Sequence, residues 1–329
     1  MSLKVGGLDV VGVFVGDAAA KIYVGAMRIW PPVPDFTPFS ISSEDPGYTD
    51  IYDEPVPEGA SGCWVTLVGG GGGGRAGYRG TSSNRPGGPG GGGGSKIPRV
   101  WIPRELMGDT YSVSTGIGGL GGEALVSGGG WGPAPVSATA SYFRSGDVNL
   151  TAGFGGYGGA NAGGTGNLGS ILQGVPGAVL IPGTDGGRGA TSATTIADPG
   201  VDNPNGAGAG GGGGGCTTSG GSPTNGAKGG DSTHGTGGVG GSISGTQGGN
   251  AVDQEPGNPG AGGGGGRNNQ GGNGGNYGGG GGELRVRPSG LASRLFLQRQ
   301  PAALTLPVEV AQPFGMVRAA AALDFAIPH

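Results

Sequence analysis

Runs of pure glycine occupy residues 69–74, 90–94, 210–215 and 262–266, and they leave the chain few ways to fold. A residue without a side chain buries no apolar surface and positions no catalytic group, so only its backbone donor and acceptor remain. Ordering a residue costs roughly 1–2 kcal/mol of backbone entropy, with glycine at the expensive end. Each hydrogen bond returns only about 0.5–1.5 kcal/mol net. A glycine-rich fold therefore needs nearly every peptide group paired, and it needs flanking segments with real side chains to anchor it. Both conditions look attainable. Charged residues are 12% of the chain and the net charge is −4, too little charge for a solvated disordered linker. Trp64, Trp101, Trp131 and several aliphatic clusters punctuate the glycines.

Collagen is excluded, because the glycine blocks keep no Gly-X-Y period. Polyglycine II remains: a left-handed spiral of three residues per turn whose N–H and C=O groups point outward and can pair with neighbouring spirals. The expected fold class is mainly β with glycine-rich polyglycine II helices, elongated, with little or no α-helix. No segment supplies the roughly 18 apolar residues of a membrane helix. Asp9 and Asp17 interrupt the apolar start, so a signal peptide is rejected and the chain is expected to be made without export. Cys63 and Cys216 do not form a disulfide framework. Two buried, unlinked thiols are favoured over a bridge.

Four regions follow from the changes in composition. Residues 1–31 read as a small β anchor module, with strands at 8–15, 21–24 and 27–30 and turn chemistry at Gly16-Asp17 and Gly25-Ala26. Alone it is too short for a stable core, so it must dock. Residues 32–60 hold six prolines among acidic residues and read as a stiff spacer. Residues 61–282 form the glycine-rich body, with strands expected at 63–68, 96–102, 110–115, 148–151 and 178–181, each leading into or out of glycines. Residues 283–329 return to ordinary composition and read as a closing β segment or an arm. Leu284 to Arg287 and Leu304 to Val310 are strand candidates, Pro307 marks an edge, and Ala319 to Leu323 is a candidate helical turn.

Catalytic chemistry is hard to find. Gly226-Ala227-Lys228-Gly229 lacks the Gly-Lys-Ser/Thr of a phosphate loop. His234 and His329, the two histidines, have no Cys, Asp or Glu at ligand or triad spacing, and Asp231 reads as a solvated charge. The acidic cluster from Glu44 to Glu58 lacks the pattern of a calcium loop. Arg75, Arg79, Arg188 and Arg267 are isolated in a net acidic chain, which argues against nucleic acid. A depolymerising enzyme would need paired carboxylates in a groove, and Glu105 and Asp109 are the residues to test. No catalytic, cofactor-binding or metal-binding residue is assigned. The recognition candidates are aromatics mounted between glycine blocks: Tyr78, Trp131, Tyr142, Phe143, Tyr157 and Tyr277, with Trp131 and Phe143 equally readable as core anchors.

Three passages resemble the glycine-rich minor tail proteins of tailed bacteriophages, especially those of actinobacteria. They are Gly12-Val13-Phe14-Val15-Gly16-Asp17 with Ile22-Tyr23-Val24-Gly25 and Met27-Arg28-Ile29-Trp30-Pro31, then Trp64-Val65-Thr66-Leu67-Val68-Gly69-Gly70, and finally Gly108 to Gly119 around Tyr111-Ser112-Val113. The resemblance covers roughly residues 1–31 and 61–285. It implies a structural, non-enzymatic tail-tip component of the virion, made in the host cytoplasm. It further implies a homotrimer, attached to other tail-tip proteins through residues 1–31, with its body projecting toward a glycan or protein of the host cell surface. The alternative is a non-viral glycine-rich extracellular or cell-wall structural protein. No cofactor, nucleic acid or membrane span is expected.

Overall fold

The computed structural model describes residues 46–79, 84–123, 125, 129–192, 194–218, 223–244, 247–255, 258–266, 271–275 and 277–282, together with the backbone of short strands within 4–42 and of 321–326. The first region contains three antiparallel pairs: β1 (Lys4–Val5) with β2 (Leu8–Asp9), β3 (Phe14–Val15) with β4 (Ala18–Ala19), and β5 (Ile22–Val24) with β6 (Met27–Trp30). Val15 faces Ala18 and Val24 faces Met27, the pairings expected to either side of Gly16-Asp17 and Gly25-Ala26. The single strand expected over 8–15 is instead divided between β2 and β3.

Two antiparallel sheets form the body's side-chain core. The four-stranded sheet runs β11 (Lys96–Pro103), β9 (Gly62–Val68), β17 (Ala321–Ala326), β7 (Ser40–Ser42). The five-stranded sheet runs β15 (Ile171–Gln173), β14 (Val148–Ala152), β13 (Ser141–Ser145), β12 (Thr110–Ser114), β8 (Ile51–Pro55). A small pair joins β10 (Asn84–Arg85) to β16 (Thr217–Thr218). The described residues hold one helical turn, a 3-10 turn at Arg104–Leu106.

Alternation explains the packing, since side chains in a strand point to opposite faces with a period of two. Cys63, Val65 and Leu67 of β9 and Ile97 and Ile102 of β11 turn inward from one sheet. Tyr111 and Val113 of β12, Phe143 of β13 and Val148, Leu150 and Ala152 of β14 meet them from the other. Tyr111 and Phe143 lie nearly parallel with centroids 6.5 Å apart. This sandwich is the anchor that the glycines need.

The strands continue into the glycines without a break. β9 runs into residues 69–74, β12 into 116–122 and β14 into 153–158, while β11 emerges from 90–94. Beyond the sandwich the pairing period changes from two to three. Gly69, Gly72 and Arg75 donate their N–H groups to Ser95, Gly92 and Pro89, and Gly87, Gly90 and Gly93 donate to Ala190, Gly187 and Thr184. Gly208, Gly211 and Gly214 donate to Gly94, Gly91 and Gly88. Ala209, Gly212 and Gly215 donate in parallel sense to Gly260, Gly263 and Gly266. Neighbours in sequence thus pair with different neighbours in space, and one run is cross-linked on several sides. A sheet strand pairs on two sides only.

Hydroxyls bridge the junction where one pitch gives way to the other. Ser141 Oγ donates to Val68 O (2.6 Å) and accepts from Gly116 N (2.8 Å). Ser95 Oγ donates to Gly153 O at 2.9 Å, and Ser170 Oγ accepts from Gly153 N at 2.9 Å. Such side chains add hydrogen bonds to the buried peptide groups where the two ladders meet. Tyr277 wedges beside Val68 at the same level, buried with φ of 61°, and Gly278 after it has φ of 91°. Two successive left-handed residues turn the chain into its last glycine run, and a glycine at the second keeps the turn from being doubly strained.

Several expectations are corrected. Ile51–Pro55, inside the segment read as a spacer, is β8, and Val56 and Ala60 are buried in the core. An edge position of the five-stranded sheet tolerates its terminal proline. Residues 321–326 form a strand between β9 and β7, where a helical turn was expected at 319–323. The open edge of β9 outweighs alanine's helix preference. In place of a strand at 178–181 there is one bridge, Lys96 to Ile181. The strand candidates at 284–287 and 304–310 lie outside the described residues. Both cysteines are buried, and neither forms a disulfide.

Candidate functional site

The recognition candidates divide between core and surface. Phe143 and Tyr277 are buried, so they serve packing. Trp131 is half-buried at the end of the first glycine run, edge-on to Tyr78 at 5.8 Å and with the Arg75 guanidinium 5.4 Å from its ring. Arg75 Nη2 donates to Gly132 O (3.1 Å) and Arg79 Nη1 to Leu125 O (2.7 Å). Those arginines and aromatics tie off the run's end, where period-three pairing stops. Tyr157 is exposed.

The remaining candidate, Tyr142, belongs to a polar face that sequence reasoning did not assemble. It lies on the side of β13 opposite Phe143, half-buried, with the Arg144 guanidinium 4.4 Å over its ring. Ser114 of β12 pairs with Tyr142, and Ser112 pairs with Arg144. On the other side Arg144 pairs with Asn149 of β14, which pairs with Gln173 of β15. The loop before β8 supplies Asp50. Its Oδ2 accepts from Ser114 Oγ (2.7 Å) and Tyr52 Oη (3.2 Å), and its Oδ1 accepts from Thr115 N (3.1 Å).

A bulge makes this possible. The β8–β12 register slips between Tyr111 and Val113, and Asp53 has φ of 52°. The extra residue bends the edge strand, while Ser112 Oγ accepts the Asp53 N–H at 3.0 Å. Tyr52 is left 64% exposed. The signal for this face was present as the alternation of Tyr142 and Arg144 with buried residues, but strand β13 itself was not anticipated.

Burial, and then the charge of Asp50, pushes the Tyr48 phenol up to about 12. Tyr111 rises to about 12 through burial and Glu54, and burial alone pushes the Cys63 thiol up to about 12. Each group holds its proton more tightly folded than unfolded. Their stabilising effect is complete below the unfolded values, near 9 for the thiol and 10 for the phenols, and is lost as pH rises through about 12. Alkaline titration is expected to show a tyrosine fraction that ionises only with unfolding, followed by tyrosinate absorbance alongside circular dichroism. Complete ionisation near pH 10 with native dichroism intact would contradict it.

The residues weighed for catalysis stand apart from this face. Asp231 accepts from Lys228 Nζ (2.6 Å) and Gly237 N (2.7 Å), contacts that hold its carboxyl below the usual range. His234 Nδ1 lies 2.8 Å from the neighbouring Thr233 hydroxyl. Glu105 is exposed on the 3-10 turn, and Asp109 pairs with Arg104 at 3.5 Å. Arg188 pairs with Asp198 at 3.3 Å. His329, Arg267, Glu44 and Asp45 lie outside the described residues. Among the described residues no cluster of three or more His, Cys, Asp or Glu side chains is placed to hold a metal ion, and no helix is long and apolar enough to cross a membrane.

A family profile described as a glycine-rich domain matches residues 49–290. The chain belongs to this glycine-rich domain family. The match begins two residues before β8 and so takes in the bulged edge of the five-stranded sheet as well as the glycine runs. Compared with curated proteins, the sequence has no match.

Proposed function

We propose that this glycine-rich domain protein is a structural, non-enzymatic minor tail protein of a tailed bacteriophage, placed at the tail tip and contributing to host-cell attachment. The observation that carries the reading is the period-three cross-linking of glycine runs that grow directly out of a β-sandwich. Such an arrangement suits a stiff projecting element and offers little to chemistry. On this reading the glycine runs are polyglycine II helices. Support comes from their three-residue pairing, and from φ values that are not left-handed anywhere in 69–74, 90–94, 210–215 or 262–266.

The three short hairpins of residues 1–31 would be the joint to other tail-tip proteins, since two- to four-residue strands need a partner surface. A homotrimer, assembled in the host cytoplasm and carried in the virion, completes the proposal. The target is a glycan or protein of the host envelope. Antiserum against the full chain, applied to purified virions and viewed by electron microscopy, is expected to label the tail tip and to block adsorption. Label confined to the walls of the producing cells would overturn it in favour of a cell-wall structural protein.

A further inference from the structure

We propose that the outer face of the five-stranded sheet, centred on Tyr52, Tyr142 and Arg144, binds pyranose units of a neutral polysaccharide. The inference rests on the attachment reading and refines it by naming ligand and residues. Recognition of a sugar needs an aromatic surface for its C–H faces and planar polar groups for its vicinal hydroxyls. It also needs those groups held in place beforehand, because ordering them on binding costs affinity.

This face meets the three needs. Tyr52 is the most exposed aromatic ring among the described residues, at 64%. Its hydroxyl is tethered to Asp50, whose carboxylate is fixed in turn by Ser114 and Thr115. Arg144 is exposed, laid on the Tyr142 ring, and makes no ion pair among the described residues. Its planar fork therefore remains to donate. Asn149 accepts from Thr151 Oγ1 at 3.2 Å, which leaves its amide NH2 to donate, and Gln173 is exposed across from it.

Ser112, Arg144, Asn149 and Gln173 occupy directly facing positions on four neighbouring strands. With strands about 4.8 Å apart, they make a polar strip about 14 Å long, which suits a chain of sugars better than a single ring. Asp50, Asp53 and Glu54 on one edge outnumber Arg144, and the excess negative charge favours a neutral polymer over a polyanion. An added peptide strand would use the sheet's edges, at β8 or β15, and would leave this face free.

The test is affinity electrophoresis of the full chain through gels holding dextran, mannan or galactan, with binding to actinobacterial cell walls measured in parallel. Wild type is expected to be retarded by at least one polymer. Tyr52→Ala and Arg144→Ala, both at exposed positions, are each expected to weaken that retardation about tenfold, as loss of a central contact does. Tyr157→Ala is expected to leave it unchanged. Retardation by none of the three polymers, or retardation that survives both substitutions, would overturn the assignment. Wall binding that persists in both variants leaves the attachment reading standing without this face, whereas absence of wall binding by wild type defeats attachment itself.

Discussion

Gly91→Ala is expected to cost about 3–5 kcal/mol and to lower the thermal midpoint by about 10 °C. A Cβ at Gly91 would run into the carbonyl of Gly72 and stand 2.9 Å from the carbonyl carbon of Gly73. Neither can retreat. Gly72 donates to Gly92 and accepts from Gly281, while Gly73 accepts from Gly158. Gly91 itself donates to Gly281 and accepts from Gly211. The added methyl therefore forces a backbone apart from a backbone, with loss of hydrogen bonds on both, and no flexible side chain absorbs the change. The loss is a large share of the 5–15 kcal/mol that a domain commands. Gly159→Ala is the control, because its Cβ meets nothing nearer than Ala162 O at 3.5 Å, and a change within about 0.5 kcal/mol is expected. Equal melting curves for the two variants would show that the runs are not in contact.

Hydrogen exchange is expected to find residues 210–215 and 262–266 among the slowest amides of the chain, with protection of about 10⁴ or more. Intuition assigns such runs to mobile coil. Yet Gly211, Gly212, Gly213, Gly214 and Gly215 donate to Gly91, Gly263, Asp198, Gly88 and Gly266, and Gly262 to Gly265 donate to Gly230, Gly280, Gly249 and Ala227. All of 210–215 and 262–266 are buried. Exchange of these amides at coil rates, with the strands β9 and β14 still protected, would refute the packing and the stiffness inferred from it.

Four body strands were legible because valine, threonine, leucine and aromatic residues sit in short runs bounded by glycine: β9, β11, β12 and β14 fall within a residue or so of their expected limits. β13 was not, although Gly146-Asp147, with Gly146 at φ of 56°, is the two-residue hairpin turn that joins it to β14. Its Ser-Tyr-Phe-Arg-Ser sequence has one fully apolar residue, too little for a pattern. β8 was hidden by acidic residues and a proline, because an edge strand with an exposed face needs no apolar signal. The candidate face suffered most. Asp50, Ser114, Tyr142 and Asn149 lie on separate segments, and only strand pairing brings them together.

By itself the sequence determined that the blocks must pair through their backbones or not order at all, because glycine offers nothing else. It also determined where side-chain anchors would interrupt them. Tertiary structure alone decided which run lies against which. Every glycine run presents the same peptide groups, so partner choice cannot be written in the runs. It is imposed by the sandwich strands that deliver each run at a set position and direction, and by the few hydroxyls and wedges at the junction that register one pitch against the other.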